Sequence, residues 1–426
     1  MKPWRKRAGA WIRNGKNRKR LLISAGFLAA VLISYTAGRI TGLRGTPFVG
    51  KSKRLTEILF WWTGLLSGME SMTEGKSVLR MMILGTEKKE TDMKRILLLT
   101  TGGTIASVKT ENGLAPGTSG EEILSYIPEA KKYCRMEVCQ IFSLDSTNLQ
   151  PEHWLKIAGK IRESYEKFDG FVITHGTDTM AYTAAALSYL IQNPEKPVIL
   201  TGAQKPISAP ITDARKNLLD SIRFAVKDGV RGVYIVFDGK AILGTRARKI
   251  RTKSYSAFDS INYPVAAFID DRRILQYVEA EEEPVPVRFY DQIDPGVFLL
   301  KLIPGMEPDI LRYIGSRYDA IIIESYGVGG IPFYDRRNFL EELARLTRDG
   351  KIVVIATQVM LEGSDAEVYE VGFKAVNEYN VLQAYDMTVE AAAVKLMWIL
   401  GMTRDFARVR ELFYRPVSHD IVSMEE

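Results

Sequence analysis

From Met93 onward the chain alternates short runs of consecutive apolar residues with longer stretches of mixed polarity. Seven of these runs are of strand length: Ile96–Leu99, Phe171–Thr174, Val198–Thr201, Val233–Phe237, Val297–Leu302, Ala320–Ile323 and Ile352–Ala356. An unbroken apolar run, without the in-out alternation of a half-exposed strand, predicts a strand covered on both faces. Such strands separated by helix-length segments, of which Ala184–Ile191 is one, build βαβ units around mostly parallel sheets. The acidic, proline-containing run Glu279–Pro286 separates the fourth strand from the last three and reads as a linker. The pattern predicts an α/β protein with an N-terminal domain over residues 93–285 and a C-terminal domain over 286–426.

The first 92 residues follow a different pattern. Their first twenty hold nine Lys or Arg and no acid, and the next eighteen, Leu21–Gly38, hold no charge. A basic flank before an uncharged apolar segment is the pattern of a membrane helix or signal anchor, with the N-terminus inside and the remainder outside. The expectation is therefore a membrane-anchored protein held through residues 21–38. A cleaved signal peptide fits less well, because Ser34-Tyr35-Thr36-Ala37 places a bulky Tyr where small residues are needed. The alternative is a cytoplasmic protein whose translation starts at Met93, just ahead of the first strand. Residues 40–92 show no clear periodicity.

Charge divides along the same boundary. The net charge of +7 conceals 18 Lys and Arg against 6 Asp and Glu in residues 1–92, and 40 against 45 in residues 93–426. The globular part is mildly acidic and has no basic surplus of the kind that binds nucleic acid. Cys134 and Cys139, five apart, face opposite sides of an extended segment and read as small apolar residues that do not pair. No cluster of His, Cys, Asp or Glu has metal-ligand spacing, so no metal is expected.

The candidate chemistry lies where apolar runs end. Ile96–Leu99 runs into Thr100-Thr101-Gly102-Gly103-Thr104, and the glycines allow a turn that leaves the Thr104 hydroxyl beside free backbone N–H groups. Phe171–Thr174 repeats the logic with His175-Gly176-Thr177-Asp178. Each loop alone is an ordinary turn or N-cap; two at matching strand ends make a site.

These two segments, TTGGTIAS and ITHGTDTM, resemble the two signature motifs of the L-asparaginase family, and the resemblance runs over essentially all of Met93–Glu426. It is nearest the bacterial type I enzymes. Asp145-Ser146-Thr147-Asn148, Leu200-Thr201-Gly202-Ala203-Gln204, Asp213 with Asn217, and Lys249 ahead of Ala257-Phe258 extend it in the family's order. The resemblance implies the asparaginase fold of two Rossmann-like α/β domains and hydrolysis of L-asparagine to L-aspartate and ammonia without a cofactor. It implies that Thr104 is the nucleophile forming the acyl-enzyme, with Thr177, Asp178 and Lys249 as a hydrogen-bonded triad. It also implies that Asp178 meets the substrate ammonium, that Ser146 with the backbone beside Thr147 takes the carboxylate, that the Ala203 carbonyl faces the amide, and that Gly176 belongs to the substrate-binding set. Lys249 acts as an amine base only if burial lowers its pKa; the cations Arg246, Arg248, Arg251 and Lys253 around it otherwise read as a solvated basic face. A homodimer or homotetramer is the implied assembly.

One position departs from the family. A tyrosine is common on the loop after the first motif, where this chain has Leu114, and a leucine cannot move a proton. The loop Val108–Gly120, with Gly113, Gly117 and Gly120, reads as a lid. Two rival functions follow: a membrane-tethered amino-acid-binding protein that has lost catalysis, and the related component of a tRNA-dependent amidotransferase, which needs an additional domain and a tRNA-binding surface. His175 reads as a structural hydrogen-bonding residue.

Overall fold

The computed structural model describes residues 93–111, 113–278 and 285–422. All seven apolar runs are strands. The first sheet is built from β1 (Arg95–Gly102), β4 (Arg135–Leu144), β5 (Gly170–Thr174), β7 (Pro197–Thr201), β8 (Gly232–Phe237), β9 (Lys240–Leu243), β12 (Ala267–Ile269) and β13 (Ile274–Gln276). Its strand order is β13-β12-β9-β8-β7-β5-β1-β4, parallel from β8 through β4 and antiparallel on the other side. The second sheet is parallel throughout, in the order of β15 (Val297–Lys301), β16 (Ala320–Ser325), β17 (Ile352–Thr357) and β18 (Leu382–Gln383). Three antiparallel pairs complete the described strands: β2 (Ser107–Thr110) with β3 (Gly113–Pro116), β6 (Ile191–Gln192) with β14 (Arg288–Phe289), and β10 (Ala247–Lys249) with β11 (Phe258–Ser260).

The apolar runs of β5, β7, β16 and β17 have their counterpart in burial of every residue in these strands, including the polar residues that end them. Helices α1 (Pro151–Ser164), α2 (Met180–Leu190), α3 (Ala214–Ala225), α4 (Phe339–Arg348) and α5 (Val389–Leu400) cover the sheets. Apolar almost all round, α2 and α5 are buried over nearly their whole length, as helices without a polar face must be. They belong to one apolar cluster that takes in residues of both sheets, and Tyr189 of α2 stacks on Trp398 of α5 at 5.9 Å. The first sheet's far face packs on a second cluster containing Leu218 and Ile222 of α3.

The order of the first sheet positions the site. From β1 the chain builds outward to β4, then returns to the other side of β1 to lay down β5, β7 and β8. Neighbouring connections leave β1 and β5 in opposite directions, which opens a crevice at their carboxyl ends. Thr104 follows β1 and Thr177 follows β5.

Strand β4 has no apolar run to announce it. It lies at the sheet edge, paired with β1, and its residues alternate between exposed and half-buried. Cys139 lies within it, half-buried, and Cys134 is buried just ahead of it; both are free thiols, and burial pushes the Cys134 thiol up to about 12.

The expected membrane-anchored localisation is corrected. Among the described residues no helix is long and apolar enough to cross a membrane. The longest helix among them, α1, has 14 residues, which at 1.5 Å per residue reaches about 21 Å, short of the roughly 30 Å hydrocarbon core. The apolar segment 21–38 and the rest of the basic extension lie outside the described residues.

Candidate active site

Thr104 opens a single turn of 3₁₀ helix, Thr104–Ala106, directly after β1. Gly103 enters that turn at φ 78°, a left-handed conformation open to glycine, and a Cβ on it would lie 2.4 Å from the Gly176 nitrogen. The turn is closed by Ala106 N–H and the Ser107 hydroxyl, both donating to the Gly103 carbonyl. Ile105 and Ala106 are buried in the core, whereas Thr104 is half-buried at the crevice.

Gly176 is closely surrounded on its other side as well. A Cβ there would lie 2.5 Å from Ser146 Oγ. Ser146 is buried and joins the loops: Asp178 N–H donates to its Oγ at 3.3 Å, and Thr179 Oγ1 donates to its carbonyl at 2.7 Å. Thr147 is occupied differently. Its N–H and its hydroxyl both donate to Asp145 Oδ1 at 2.9 Å, so Asp145 caps the turn that holds Thr147.

Lys249 ends β10 and brings the second loop together. Its Nζ donates to Thr177 Oγ1 at 2.8 Å and to Asp178 Oδ1 at 2.6 Å. Thr177 is buried, the Lys249 side chain is mostly enclosed, and the Asp178 carboxylate is 56% exposed. With Lys249 donating to it, the Thr177 oxygen keeps its own proton for another acceptor. The carboxylate can meet a cation from solvent while the amine and hydroxyl stay sheltered.

Ala203 is buried in the loop after β7. The preceding carbonyl, of Gly202, accepts from Asn217 Nδ2 at 3.0 Å, and Asp213 accepts the N–H groups of Gln204 and Lys205 at 2.8 and 3.2 Å. Burial raises the Asp213 carboxyl, opposed by these hydrogen bonds. Asp213 and Asn217 therefore hold the Ala203 loop in place from beneath.

His175 is fully buried behind Thr177. Its Nδ1 lies 2.6 Å from the Gly176 carbonyl, which can only accept, so Nδ1 carries the proton. Nε2 then accepts from the Thr183 hydroxyl at 2.9 Å, and that hydroxyl accepts from Trp154 Nε1 at 3.0 Å. Burial lowers the imidazole to about 4, against the hydrogen bond to Gly176, which raises it. The ring is a neutral brace for the Gly176 backbone.

Residues 95–281 match the family pattern "Asparaginase, N-terminal" and residues 296–413 match "Glutaminase/Asparaginase C-terminal domain". An L-asparaginase from Thermococcus kodakarensis is 42% identical over 328 residues, 77% of this chain and 99% of that protein. The chain belongs to the asparaginase family. A solved structure of L-asparaginase I from Vibrio cholerae matches this family member with a TM-score of 0.71 at 29% identity, covering 78% of this chain and 100% of that one. A component of the glutamyl-tRNA(Gln) amidotransferase of Pyrococcus abyssi is 34% identical, over 75% of this chain and 75% of that protein.

Within this asparaginase-family chain one residue, Arg246, differs from its reading in sequence, and the loop read as a lid has a defined start. The expected lid begins as a β-hairpin, β2 with β3, in which Leu114 is paired with Lys109. Arg246, read as part of a solvated basic face, is wholly buried. Nothing local distinguishes it from Arg248 and Arg251; its partners lie 140 and 173 residues away.

Proposed function

We propose that this member of the asparaginase family hydrolyses L-asparagine to L-aspartate and ammonia through an acyl-enzyme on Thr104. The observation that carries the reading is the Lys249 amine, 2.8 Å from Thr177 Oγ1 and 2.6 Å from Asp178 Oδ1, in the loop whose backbone closely approaches that of the Thr104 loop. The Thr104 oxygen attacks the side-chain amide carbon, its proton passes to the departing nitrogen, and ammonia leaves. Water then attacks the ester carbon, losing a proton through the Thr177–Lys249 pair and returning one to the Thr104 oxygen as aspartate departs. The exposed Asp178 carboxylate suits the substrate ammonium, and Ser146 lies beside it for the carboxylate end.

The length covered in relatives favours this activity over that of an amidotransferase component: the chain spans 99% of the Thermococcus enzyme and 75% of the Pyrococcus protein. Likeness to L-asparaginase I of Vibrio cholerae supports placement beside the type I enzymes. The division into domains over 93–285 and 286–426 is supported by the separate family matches and the two sheets. A homo-oligomer is supported by exposed Phe333, Tyr334, Tyr369 and Phe373 on the C-terminal half. Ammonia release from L-asparagine by the purified chain, compared with Thr104→Ala, tests the activity. Loss of turnover in a folded variant is expected; equal turnover would overturn the reading.

A further inference from the structure

Arg246 is enclosed completely, three residues before Lys249. Its Nε donates to the His419 carbonyl and its Nη1 to the Asp386 carbonyl at 2.9 Å, while Nη2 forms an ion pair with Asp386 Oδ2 at 2.8 Å. Its guanidinium lies over the Tyr263 ring at 5.3 Å. A group that stays charged and is taken wholly out of water is tolerated only when it is paired; here Nε and Nη1 make hydrogen bonds, while Nη2 has the Asp386 counter-charge without a hydrogen bond.

The residues on either side are held by the same region. The Thr245 hydroxyl donates to the Ser418 carbonyl at 2.6 Å, and the Thr245 carbonyl accepts from the Thr388 hydroxyl at 3.1 Å. Arg248 Nε lies 3.6 Å from Glu390 Oε1. Tyr263 apart, these partners come from α5 and the turn leading into it, or from the C-terminal tail. In that tail Ser418 and His419 adopt left-handed φ values of 51° and 55°, which non-glycine residues keep only when their surroundings enforce them. Asp420 supplies the enforcement: it is fully buried, paired with Lys395 Nζ at 2.6 Å, and accepts from Tyr189 Oη and Val417 N–H, each at 2.9 Å.

Strand β10 has three residues and one partner strand, and such a pair has little stability of its own. Lysine reaches its target through four flexible bonds, so the place of Nζ depends on where its backbone is held. We propose that Arg246 is a positioning residue for Lys249, docking the start of β10 onto the C-terminal tail so that Nζ falls between Thr177 and Asp178. The proposal rests on the reading of Lys249 as a member of the catalytic triad.

Arg246→Lys keeps a cation but cannot meet both His419 and Asp386. In the purified full chain we expect kcat for L-asparagine to fall roughly 10- to 100-fold, the cost of a misplaced catalytic group, with KM within about threefold of wild type. We also expect the midpoint of kcat against pH to move. A purely structural role would reduce the folded fraction and leave the pH profile of the remaining activity in place; that result, or unchanged kcat, overturns the proposal. Should Arg246→Lys fail to fold, Thr245→Val removes only the bond to Ser418 and is read by the same kcat, KM and pH profile. Lys249→Met separates the two claims: wild-type turnover there overturns the role of Lys249 itself.

Discussion

A Cβ on Gly103 would lie 2.4 Å from the backbone nitrogen of Gly176, so the loops that carry Thr104 and Thr177 meet backbone to backbone. Gly103→Ala meets both that contact and a φ of 78°, and the two loops must separate. The expected outcome is a stability loss of about 1–3 kcal/mol with kcat/KM down by about 100-fold or more, because a shift of about 1 Å between the proposed catalytic groups is that costly. Denaturant melts beside steady-state ammonia release measure the two effects separately.

His175 gives the chain an acid sensitivity of defined sign. Folded, the imidazole is held to about 4, while the unfolded value is near 6.5. Between these values the unfolded state takes up a proton that the folded state refuses, so stability is full above pH 6.5 and falls toward pH 4, by about 3 kcal/mol for this group. Urea unfolding at about pH 7 and about pH 4.5, on either side of the unfolded value, should show a smaller loss in His175→Gln than in wild type. Equal losses in the two would mean that the ring does not titrate this way.

Lys395 and Asp420 form an ion pair with both side chains at 0% exposure. Asp420→Ala leaves a buried ammonium without its counter-charge and should cost about 3–5 kcal/mol. Lys395→Met with Asp420→Leu removes both charges and should recover much of that loss. If the double variant is less stable than Asp420→Ala, the loss of the Lys395 Nζ bond to the Arg415 carbonyl at 2.8 Å outweighs the unpaired charge.

Leu114 lies on β3 opposite Lys109. A leucine has no proton to transfer, so Leu114→Ala should retain substantial turnover. Complete loss of turnover in a folded variant would show that the reaction needs the larger side chain at this place in the hairpin.

The buried parallel strands were legible because each is apolar without interruption, and burial on both faces demands that composition wherever the strand lies. Thr104, Thr177 and Asp178 were legible as candidates because each follows such a strand within a few residues, in a loop that contains a glycine. What escaped the sequence was whatever depends on distant partners. Strand β4 is an edge strand whose alternating pattern is modest, and its pairing with β1 decides its conformation. Arg246 sits among solvated-looking cations, and only the approach of Asp386 and His419 makes it a core residue. Lys249 was named only through the family resemblance, since the cations around it read as a solvated face; its amine acquires a site-like setting from Thr177, 72 residues earlier, and from Asp178. Local composition determines which segments can be strands and which loops carry hydroxyls, because those choices are made within a few residues. Which charges are buried, and which cation reaches the threonine, is decided by tertiary structure, because desolvation and pairing arise from residues that are neighbours only after the chain has folded.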